Sequence, residues 1–327
     1  MSKIQNIGVL TSGGDAPGMN AAIRAVVRGS LYYKLKVTGV LRGYEGLINA
    51  DFFPMDGKSV ANIIQRGGTI LKTARCDEFR TPEGRAKAHQ NLVESNIDAL
   101  VVIGGDGTFT GADIFSQEYD FPIIGLPGTI DNDLEGTDLT IGYDTAINTV
   151  VNAVDKIRDT AESHDRLFIV EVMGRDSGLI ALRSGIGVGA EAILIPEAKM
   201  TTADLVHRVE HGRKDKASKI IVVAEGDEAG GAYNVGEVLK EKFPHHDIRV
   251  SVLGHIQRGG SPSCADRVLA SRLGVAAVEG LLEGKSKMMV GQVNKEIVFT
   301  PFSKAIKHID AAQVTPAWLQ LAEILSL

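Results

Sequence analysis

The sequence repeats one unit along most of its length: a short apolar run, then a loop rich in glycine and polar residues, then a helix-like segment. The run and its loop occur over Ile7–Asp15, Ala99–Thr108, Ile123–Asp133, Phe168–Gly178, Ile220–Gly231 and Val250–Gly260. Short continuous runs rich in Val and Ile are typical of strands that a parallel sheet buries on both faces. The alternation with helices therefore predicts an α/β fold with mostly parallel sheets.

The helix-like segments are Asn20–Tyr33, Gly84–Glu94, Ala146–Thr160, Ala203–His211, Val235–Lys242 and Asp266–Leu282. A chain of 327 residues is long enough for two domains or for one large α/β unit, since domains usually hold about 100–200 residues. The strands fall into two groups, which favours two packed α/β domains with a cleft between them. We expect the boundary near Gly142, just after the loop that ends at Asp133.

Composition narrows the class of protein. Glycine accounts for 37 of the 327 residues without a collagen-like period, so its excess belongs to the loops. The net charge of −6 speaks against a general nucleic-acid-binding protein. Cys76 and Cys264 form neither a CxxC pair nor a zinc pattern, and no apolar run reaches the roughly 18 residues of a membrane span. We expect a cytoplasmic protein without a signal peptide and without a membrane or nucleic-acid partner.

Two of the loops are suited to holding phosphates at the carboxyl ends of strands, where open α/β sheets bind ligands. In Ser12–Gly14, glycine backbone before a helix N-terminus favours an anion, although a tight strand–helix turn has the same sequence pattern. In Ile103–Gly111, Asp106 stands among four glycines. A carboxylate there is suited to Mg²⁺ beside a phosphate, or to capping a helix, and the two roles are compatible.

The loop Pro127–Asp133 carries two carboxylates, Asp131 and Asp133, close to Thr129. One of them is suited to accept a proton from an attacking hydroxyl, because a general base must lie within hydrogen-bond reach of that proton. Asp133 is suited to steadying a metal or the orientation of the loop. A plain cluster of Asx turns is the alternative.

The remaining loops supply charged side chains: Arg175, Glu225, His255 and Arg258. Arginine forks match the geometry of a phosphate. Glu225 is suited to sugar hydroxyls, and His255 either to a phosphate or to a structural hydrogen bond. Arg166 and Arg249 precede strands and carry a weaker signal on pattern alone.

Two glycine patterns are similar to nucleotide-binding motifs and are rejected. Gly280–Ser286 has three residues between its glycines, where the P-loop has four, and it follows a helix-like segment. Gly185–Ala190 fits a loose dinucleotide fingerprint, but the residues before it do not form a clear strand pattern.

Five motifs occur in order between positions 12 and 262: SGGDAPGMN, GGDGT, PGTIDND, VMGR and GHIQRGGSP. With them the chain resembles, over nearly its whole length, the ATP-dependent 6-phosphofructokinases of the short bacterial type. GGDGT alone is also similar to NAD kinases and diacylglycerol-type lipid kinases, whereas PGTIDND together with GHIQRGG is specific. The resemblance implies phosphoryl transfer from Mg·ATP to the 1-hydroxyl of fructose 6-phosphate, which gives fructose 1,6-bisphosphate and ADP, by a homotetramer.

The resemblance also implies two Rossmann-like three-layer domains with mostly parallel sheets and an active-site cleft between them. The larger, ATP-binding domain would comprise residues 1–142 and about 256–306. The smaller, fructose 6-phosphate-binding domain would comprise residues 143–255 and about 307–327.

Site residues follow from the resemblance by motif. ATP contacts are implied for Gly14, Tyr44, Arg75, Cys76, Gly105, Asp106, Gly107, Thr108 and Gly111, with Asp106 also serving Mg²⁺. The implied catalytic residues are Asp131 as the base, with Thr129, Arg175 and Gly14. Fructose 6-phosphate contacts are implied for Thr129, Ile130, Asp131, Met173, Gly174, Arg175, Glu225, His255, Ile256, Gln257 and Arg258, and for Arg166 and Arg249 reaching from a neighbouring subunit.

Allosteric control by ADP or GDP and by phosphoenolpyruvate is implied as well, through Arg24, Arg28, Lys58, Arg158, Gly189, Glu191, Lys214 and Lys216. Arg24 and Arg28 are four apart on one helix, where like charges favour a nearby anion, although a solvated face is the alternative. Gly57 stands where the family often has an effector-binding arginine, and Asn62 where an aspartate is common. Lys58 is the candidate substitute, and our hypothesis is an altered or weakened effector response.

The phosphoryl donor is predicted from two glycines. Pyrophosphate-dependent members of the family are similar to GGDD and PKTIDND at these motifs, so Gly107 and Gly128 predict ATP. The rival interpretations rest on less. A NAD or lipid-type kinase rests on GGDGT, a dehydrogenase on Gly185–Ala190, and a non-catalytic nucleotide sensor is expected to lack Asp106, Asp131 or Arg175, all of which are present.

Overall fold

The computed structural model of the chain describes residues 4–162, 166–211, 219–228, 230–306 and 314–325. The strands are β1 (Asn6–Thr11), β2 (Lys36–Val40), β3 (Phe52–Met55), β4 (Ala99–Gly104), β5 (Ile123–Thr129), β6 (Ile141–Gly142), β7 (Leu167–Val172), β8 (Ala192–Leu194), β9 (Lys219–Ala224), β10 (Ile248–Val252), β11 (Met288–Val293) and β12 (Glu296–Pro301).

The helices are α1 (Met19–Tyr32), α2 (Tyr44–Asn49), α3 (Pro82–Glu94), α4 (Asp106–Tyr119), α5 (Tyr143–Glu162), α6 (Leu179–Gly187), α7 (Thr202–His211), α8 (Gly231–Lys242), α9 (Cys264–Leu282), α10 (Phe302–Ala305) and α11 (Pro316–Leu325). Two 3₁₀ helices cover Glu78–Arg80 and Gly254–Arg258.

The chain divides into two compact units. Unit 1 comprises Met1–Thr145 and Arg258–His308, and unit 2 comprises Ala146–Gln257 and Ile309–Leu327.

Unit 1 is built on an eight-stranded sheet in the order β12-β11-β5-β4-β1-β2-β3, with β6 beside β5. The strands from β2 to β11 in this order pair in parallel, and only the edge strands β3 and β12 pair antiparallel. One core cluster of this unit joins strand residues such as Leu10 and Leu100 to Phe109 and Phe115 of α4, which are all buried. The apolar runs are therefore strands at the centre of the sheet.

Unit 2 is built on a four-stranded sheet, all parallel, in the order β10-β7-β9-β8. Its core joins Ile169, Ile221 and Val223 of the sheet to Leu205 of α7 and Leu239 of α8. The two sheets confirm the α/β fold with mostly parallel strands.

The six predicted helix-like segments correspond to α1, α3, α5, α7, α8 and α9, with ends that differ by a few residues. Their ends follow ordinary capping chemistry: Thr81 accepts a hydrogen bond from the Gly84 N–H at 3.1 Å before α3, and Pro82 opens that helix. Ser263 likewise accepts from the Asp266 N–H at 3.2 Å before α9.

The structure agrees with the rejection of both glycine patterns. The residues before Gly185 form α6 rather than a strand. The pattern Gly280–Ser286 follows the last turns of α9. Neither segment has the strand–loop–helix arrangement that binds a nucleotide phosphate.

Candidate active site

Three strands of unit 1 end side by side in glycine-rich or acidic loops. β1, β4 and β5 are parallel neighbours, so their carboxyl ends lie at one edge of the sheet. After β1, the Ser12 N–H donates to the Ile103 carbonyl at 3.0 Å. After β4, a Cβ on Gly105 would lie 3.4 Å from the Cβ of Thr129, at the end of β5. The structure thus brings together the two loops in which the sequence predicts phosphate binding and the loop in which it predicts a general base.

The second of these loops is shorter than the sequence predicts, because Gly105 is the N-cap of α4 and Asp106 is the first helical residue. Gly107 and Gly111 lie within the helix rather than in a bare loop. The prediction of an extended glycine loop over Ile103–Gly111 was therefore wrong in its second half. Gly105 has no side chain to cap this first turn, in which the Thr108 N–H donates to the Gly105 carbonyl at 3.0 Å, and the N-terminus of a helix favours an anion. Asp106 is half-buried beside them.

Gly104, the last residue of β4, lies against a crowded part of this edge. A Cβ on it would lie 2.3 Å from Thr108 Oγ1 and 2.5 Å from the Ser12 carbonyl oxygen. Both distances are shorter than any real contact, so only glycine allows β1 and α4 to approach this closely. The close approach joins the first loop to the first turn of α4.

The predicted nucleotide contacts Tyr44, Arg75 and Cys76 have different environments. Tyr44 is 7% exposed and stacks on Phe79, with ring centroids 4.0 Å apart. Its hydroxyl donates to the Thr108 carbonyl, and burial raises the pKa of that hydroxyl. Arg75 is exposed, whereas Cys76 is half-buried and its thiol has a pKa raised by burial. Tyr44 therefore supports α4 from the core side.

The loop that follows β5 is held by an asparagine to which the sequence assigned no role. Asn132 has a left-handed backbone, with φ of 52°. Its Oδ1 accepts from the Thr140 N–H at 2.7 Å and its Nδ2 donates to the Asp138 carbonyl at 3.2 Å. Asp131, 4% exposed, has its own N–H bonded to Thr129 Oγ1 at 3.2 Å. The candidate base thus stands on a fixed turn, with Ile130 buried beneath it.

Arg258, the first residue of the second segment of unit 1, lies over the first loop. A Cβ on Gly14 would lie 2.4 Å from its Nη1, and the same nitrogen donates to the Asp15 carbonyl at 3.4 Å. This places a guanidinium against the glycine that the resemblance assigns to catalysis.

Unit 2 has a second strand-end site, on the parallel neighbours β7 and β9. Met173, Gly174 and Arg175 follow β7, and Glu225 follows β9. Glu225 Oε1 accepts from the Arg175 N–H at 2.7 Å and from the Gly174 N–H at 3.3 Å. Gly174 has φ of 145°, and a Cβ there would lie 2.4 Å from the Ser177 carbonyl, so glycine is required. Glu225 therefore fixes the backbone that presents Arg175.

The 3₁₀ helix Gly254–Arg258 supplies the other predicted sugar contacts of unit 2. His255 and Ile256 are exposed. Gln257 has no exposed surface, and its Oε1 accepts from the Met173 N–H at 3.1 Å. The sequence predicts that Gln257 contacts the substrate, whereas in the structure its buried side chain contacts the loop that carries Arg175. Glu197, which no sequence motif marks, accepts from the Gly178 N–H at 2.8 Å.

Arg166 and Arg249 lie at the opposite edge of the same sheet, at the amino ends of β7 and β10. Both bind one carboxylate: Arg166 Nε lies 2.6 Å from Asp247 Oδ2, and Arg249 Nε lies 2.8 Å from Asp247 Oδ1. The hydrogen bond from Arg166, together with Arg249, lowers the pKa of Asp247. β7 has six residues, so its two ends are about 20 Å apart at roughly 3.3 Å per residue. One sugar phosphate cannot contact both edges of a single unit 2.

The predicted effector residues lie in both units. Arg24 is half-buried and Arg28 exposed on α1, and Lys58 is exposed in a turn whose N–H groups bind Asp56. In unit 2, Arg158 donates to the Val188 carbonyl, next to Gly189. Lys214 and Lys216 lie outside the described residues.

Two details bear on the predicted effector response. A Cβ on Gly57 would meet no atom within 4 Å, so the space for a side chain exists there and is not used. Glu191, 3% exposed, accepts from the Ile220 N–H at 2.5 Å and so contributes to the core of unit 2.

In the part of the chain that the structure describes, no group of three His, Cys, Asp or Glu side chains is arranged to hold a metal ion. Among the described helices, none is both long and apolar enough to span a membrane.

Two α/β units whose mostly parallel strands end in loops rich in glycine and charged residues define the class of α/β proteins that bind ligands at strand ends. Comparison with known proteins narrows this class. The model of the family described as phosphofructokinase matches residues 6–281. ATP-dependent 6-phosphofructokinase 2 of Bacteroides thetaiotaomicron is 58% identical over 309 residues, which are 94% of this chain and 95% of that protein.

Solved structures show the same fold. Phosphofructokinase from Saccharomyces cerevisiae matches with a TM-score of 0.89 at 38% identity over 98% of this chain, and this chain covers 48% of the yeast chain, about half its length. Pyrophosphate-dependent phosphofructokinase from Marinobacter aquaeolei matches with a TM-score of 0.84 at 23% identity, covering 98% of this chain and 91% of that one. The chain belongs to the phosphofructokinase family.

Proposed function

We propose that this chain transfers a phosphoryl group from ATP to the 1-hydroxyl of fructose 6-phosphate, giving fructose 1,6-bisphosphate and ADP. The observation that carries the proposal is that each unit has a strand-end site and that the two sites differ in chemistry. Unit 1 offers the N-terminus of α4, which no side chain caps, and a buried carboxylate, and unit 2 offers an arginine and a glutamate. Phosphoryl transfer depends mainly on positioning and charge stabilisation, which such groups supply.

The donor is ATP rather than pyrophosphate. The curated relative described above is named ATP-dependent, whereas a pyrophosphate-dependent protein shares the fold, so the fold alone does not decide the donor. The two discriminating positions have different space. A Cβ on Gly128 would lie 2.9 Å from Ile103 Cγ2, so this backbone leaves no room for a lysine there. A Cβ on Gly107 would meet nothing within 4 Å, which leaves room for the extra phosphate of ATP.

Within unit 1, Asp131 is the proposed base for the sugar hydroxyl, and Thr129 lies beside the transferred group. Asp106 would hold Mg²⁺, and the donor set fits, because this ion commonly takes one or two protein carboxylates together with phosphate oxygens. When bound, Mg²⁺ would neutralise charge on the phosphates. Unit 1 is thus the proposed ATP-binding domain, with contacts at Gly14, Arg75, Cys76 and Gly105–Thr108.

Within unit 2, Arg175 and Glu225 are the proposed contacts for fructose 6-phosphate, together with His255. Arg258, which belongs to unit 1, is the proposed second guanidinium for the phosphoryl groups. The three N–H groups of Met173, Gly174 and Arg175 already have side-chain acceptors. Recognition of the sugar phosphate therefore falls to side chains.

A second copy of the chain would complete the sugar site. Arg166 and Arg249 lie about 20 Å from Arg175 along the sheet of unit 2, too far to bind the same molecule of fructose 6-phosphate. Arginines from a neighbouring copy meet this requirement, and we propose the homotetramer that the resemblance implies. Effector binding of ADP or GDP and of phosphoenolpyruvate would then couple to the sugar site through contacts between copies.

The compartment proposed for this reaction is the cytoplasm. Both cysteines, Cys76 and Cys264, are free thiols in the structure. Free thiols fit a reducing compartment, where disulfides are rare.

The test is release of ADP from Mg·ATP in the presence of fructose 6-phosphate, with a reaction without sugar as the control. Sugar-dependent release is the expected result. Turnover with pyrophosphate that equals or exceeds turnover with ATP would contradict the proposed donor. A folded protein that binds ATP but releases no ADP with any sugar phosphate would contradict the proposed function.

A further inference from the structure

The loop Met173–Gly178 of unit 2 is bound along its backbone by side chains from three other segments. Gln257 binds the Met173 N–H, Glu225 binds those of Gly174 and Arg175, and Glu197 binds that of Gly178. The three acceptors come from the 3₁₀ helix Gly254–Arg258, from the end of β9 and from the segment after β8. We call this set of three side chains the loop clamp.

The loop needs such support because its backbone is strained. Arg175 has φ of 52°, a left-handed conformation that is uncommon for residues other than glycine. Gly174 beside it has φ of 145°. Such conformations persist where the surrounding structure imposes them, and they cluster at functional sites. The direction of the Arg175 side chain therefore depends on the clamp.

Glu197 is packed tightly against the far end of the loop. Its Oε2 is buried and has no hydrogen-bond partner among the described residues. A Cβ on Gly178 would lie 2.5 Å from this oxygen and 2.4 Å from the Cβ of Ile195. Gly178 is the N-cap of α6, where a carboxylate also interacts favourably with the helix dipole. A change at Glu197 or at Gly178 must therefore move the end of the loop.

Gln257 holds the near end in the same way. Its side chain has no exposed surface, and its Nε2 has no hydrogen-bond partner among the described residues. The bond from the Met173 N–H to its Oε1 is the contact through which it acts on the site. A side chain buried to this extent influences a ligand through its neighbours rather than by touching it.

We propose that Glu197 and Gln257 are positioning residues for fructose 6-phosphate. They fix the two ends of Met173–Gly178, and through that backbone they aim Arg175 at the sugar phosphate without touching it. The inference rests on the proposed function and adds to it two residues at a distance from the chemistry.

The experiment compares steady-state kinetics of the full-length wild type with those of Glu197→Ala, Glu197→Gln, Gln257→Met and the double variant Glu197→Ala/Gln257→Met. Both single removals are expected to raise KM for fructose 6-phosphate about 10- to 100-fold, the size of effect that a misplaced binding group produces. KM for ATP is expected to stay at the wild-type value. Glu197→Gln keeps an acceptor oxygen for the Gly178 N–H and is expected to recover most of the sugar affinity.

Two matched variants separate positioning from general loss of structure. Glu228→Gln alters a carboxylate that is exposed and pairs with exposed Lys199, at 3.1 Å, and should have wild-type kinetics. Gly178→Ala leaves Glu197 in place but pushes its carboxylate away, and should reproduce the rise in sugar KM even where Glu197→Ala does not fold.

The double variant tests whether the two residues act on one loop. Residues that share a structural element couple, so its effect on sugar KM is expected to be smaller than the product of the single effects. Several outcomes would overturn the inference: equal rises in both KM values, unchanged sugar KM in folded variants, or a multiplicative double variant. A wild type without sugar-dependent turnover would instead overturn the proposed function, so the two failures are distinguishable.

Discussion

The strand-end loops of the two units are shaped in opposite ways. In unit 1 the loops after β1 and β4 are shaped by missing side chains: Gly104 lets Ser12 and Thr108 approach, and Gly105 leaves the first turn of α4 without a side-chain cap. In unit 2 the loop that carries Arg175 is shaped by side chains that bind its N–H groups. An open backbone suits phosphates of any attached group, whereas a bound backbone leaves recognition to side chains and suits a particular sugar. The difference agrees with the proposed function, in which glycine backbone binds the donor and carboxylates and arginines bind the acceptor.

The largest effect is expected from Asp131, the buried carboxylate of unit 1 that we propose as the base. Asp131→Ala should lower kcat by about 10²- to 10⁴-fold, the usual contribution of a general base. Fructose 6-phosphate should still bind, since most of its proposed contacts lie in unit 2. The measurement is sugar-dependent ADP release together with a thermal shift by the sugar phosphate. Asp133→Ala is the matched control. An equal or larger loss of kcat in this variant would show that Asp131 is not the base.

The next effect tests the backbone-shaped loops directly. Gly104→Ala places a methyl group 2.3 Å from Thr108 Oγ1 and should lower the free energy of unfolding by about 1–3 kcal/mol, as overpacking does. Gly107→Ala, three residues further along the chain, places its methyl group where no atom lies within 4 Å. Urea unfolding of both variants is the measurement. Equal destabilisation would show that close approach at Gly104 does not shape the loop.

A smaller effect is expected in unit 2, on binding rather than on the fold. Glu225→Ala removes the acceptor for two loop N–H groups and should raise KM for fructose 6-phosphate by about tenfold or more, with little change in KM for ATP. Glu225→Gln retains one acceptor oxygen and should lie between this variant and the wild type. A comparable rise in KM for ATP would contradict the proposal that unit 1 binds ATP and unit 2 binds fructose 6-phosphate.

The smallest effect concerns the amino edge of unit 2, where Asp247 binds Arg166 and Arg249. Because the pKa of Asp247 is lowered in the folded state, its contribution to stability is present above the ordinary value of 3.8 and is lost as the pH falls through the lowered pKa. The Tm difference between wild type and Asp247→Asn should be constant near neutral pH and shrink in acid below that value. Asp77→Asn, in an exposed pair with Arg80 at 3.6 Å, should show no such difference. A Tm difference between wild type and Asp247→Asn that grows as the pH falls would contradict the predicted direction of the effect.

The predictable part of the fold is the part whose local signal agrees with its packing. A central strand such as β4 is a continuous apolar run because both faces of the sheet are covered. α4 was missed as a helix because its first turns are rich in glycine and threonine, which are weak helix formers. Buried Phe109 and Phe115 anchor it against the sheet instead, and that tertiary contribution is not visible in a short stretch of sequence.

The residues of the candidate site also differ in how much of their role a local sequence pattern indicates. Motifs indicated Asp131, Arg175 and Glu225 because their loops follow clear strands. Glu197 and Asp247 carry no local signal, since their roles depend on partners far along the chain, Gly178 and Arg166. Gln257 was in a recognised motif, but only its burial shows that it contacts the loop rather than solvent.

The discontinuous course of unit 1 has a consequence for its synthesis. On the ribosome, the sheet of unit 2 is complete once Val252 has emerged, whereas the sheet of unit 1 still lacks β11 and β12. α9 packs closely on α1, because a Cβ on Gly274 of α9 would lie 2.6 Å from the Cβ of Ala25. Until α9 emerges, this face of α1 is therefore uncovered. Although β1 is synthesised first, the sheet of unit 1 is therefore expected to be completed after the sheet of unit 2. A nascent chain stalled before α9 would expose an apolar surface to chaperones.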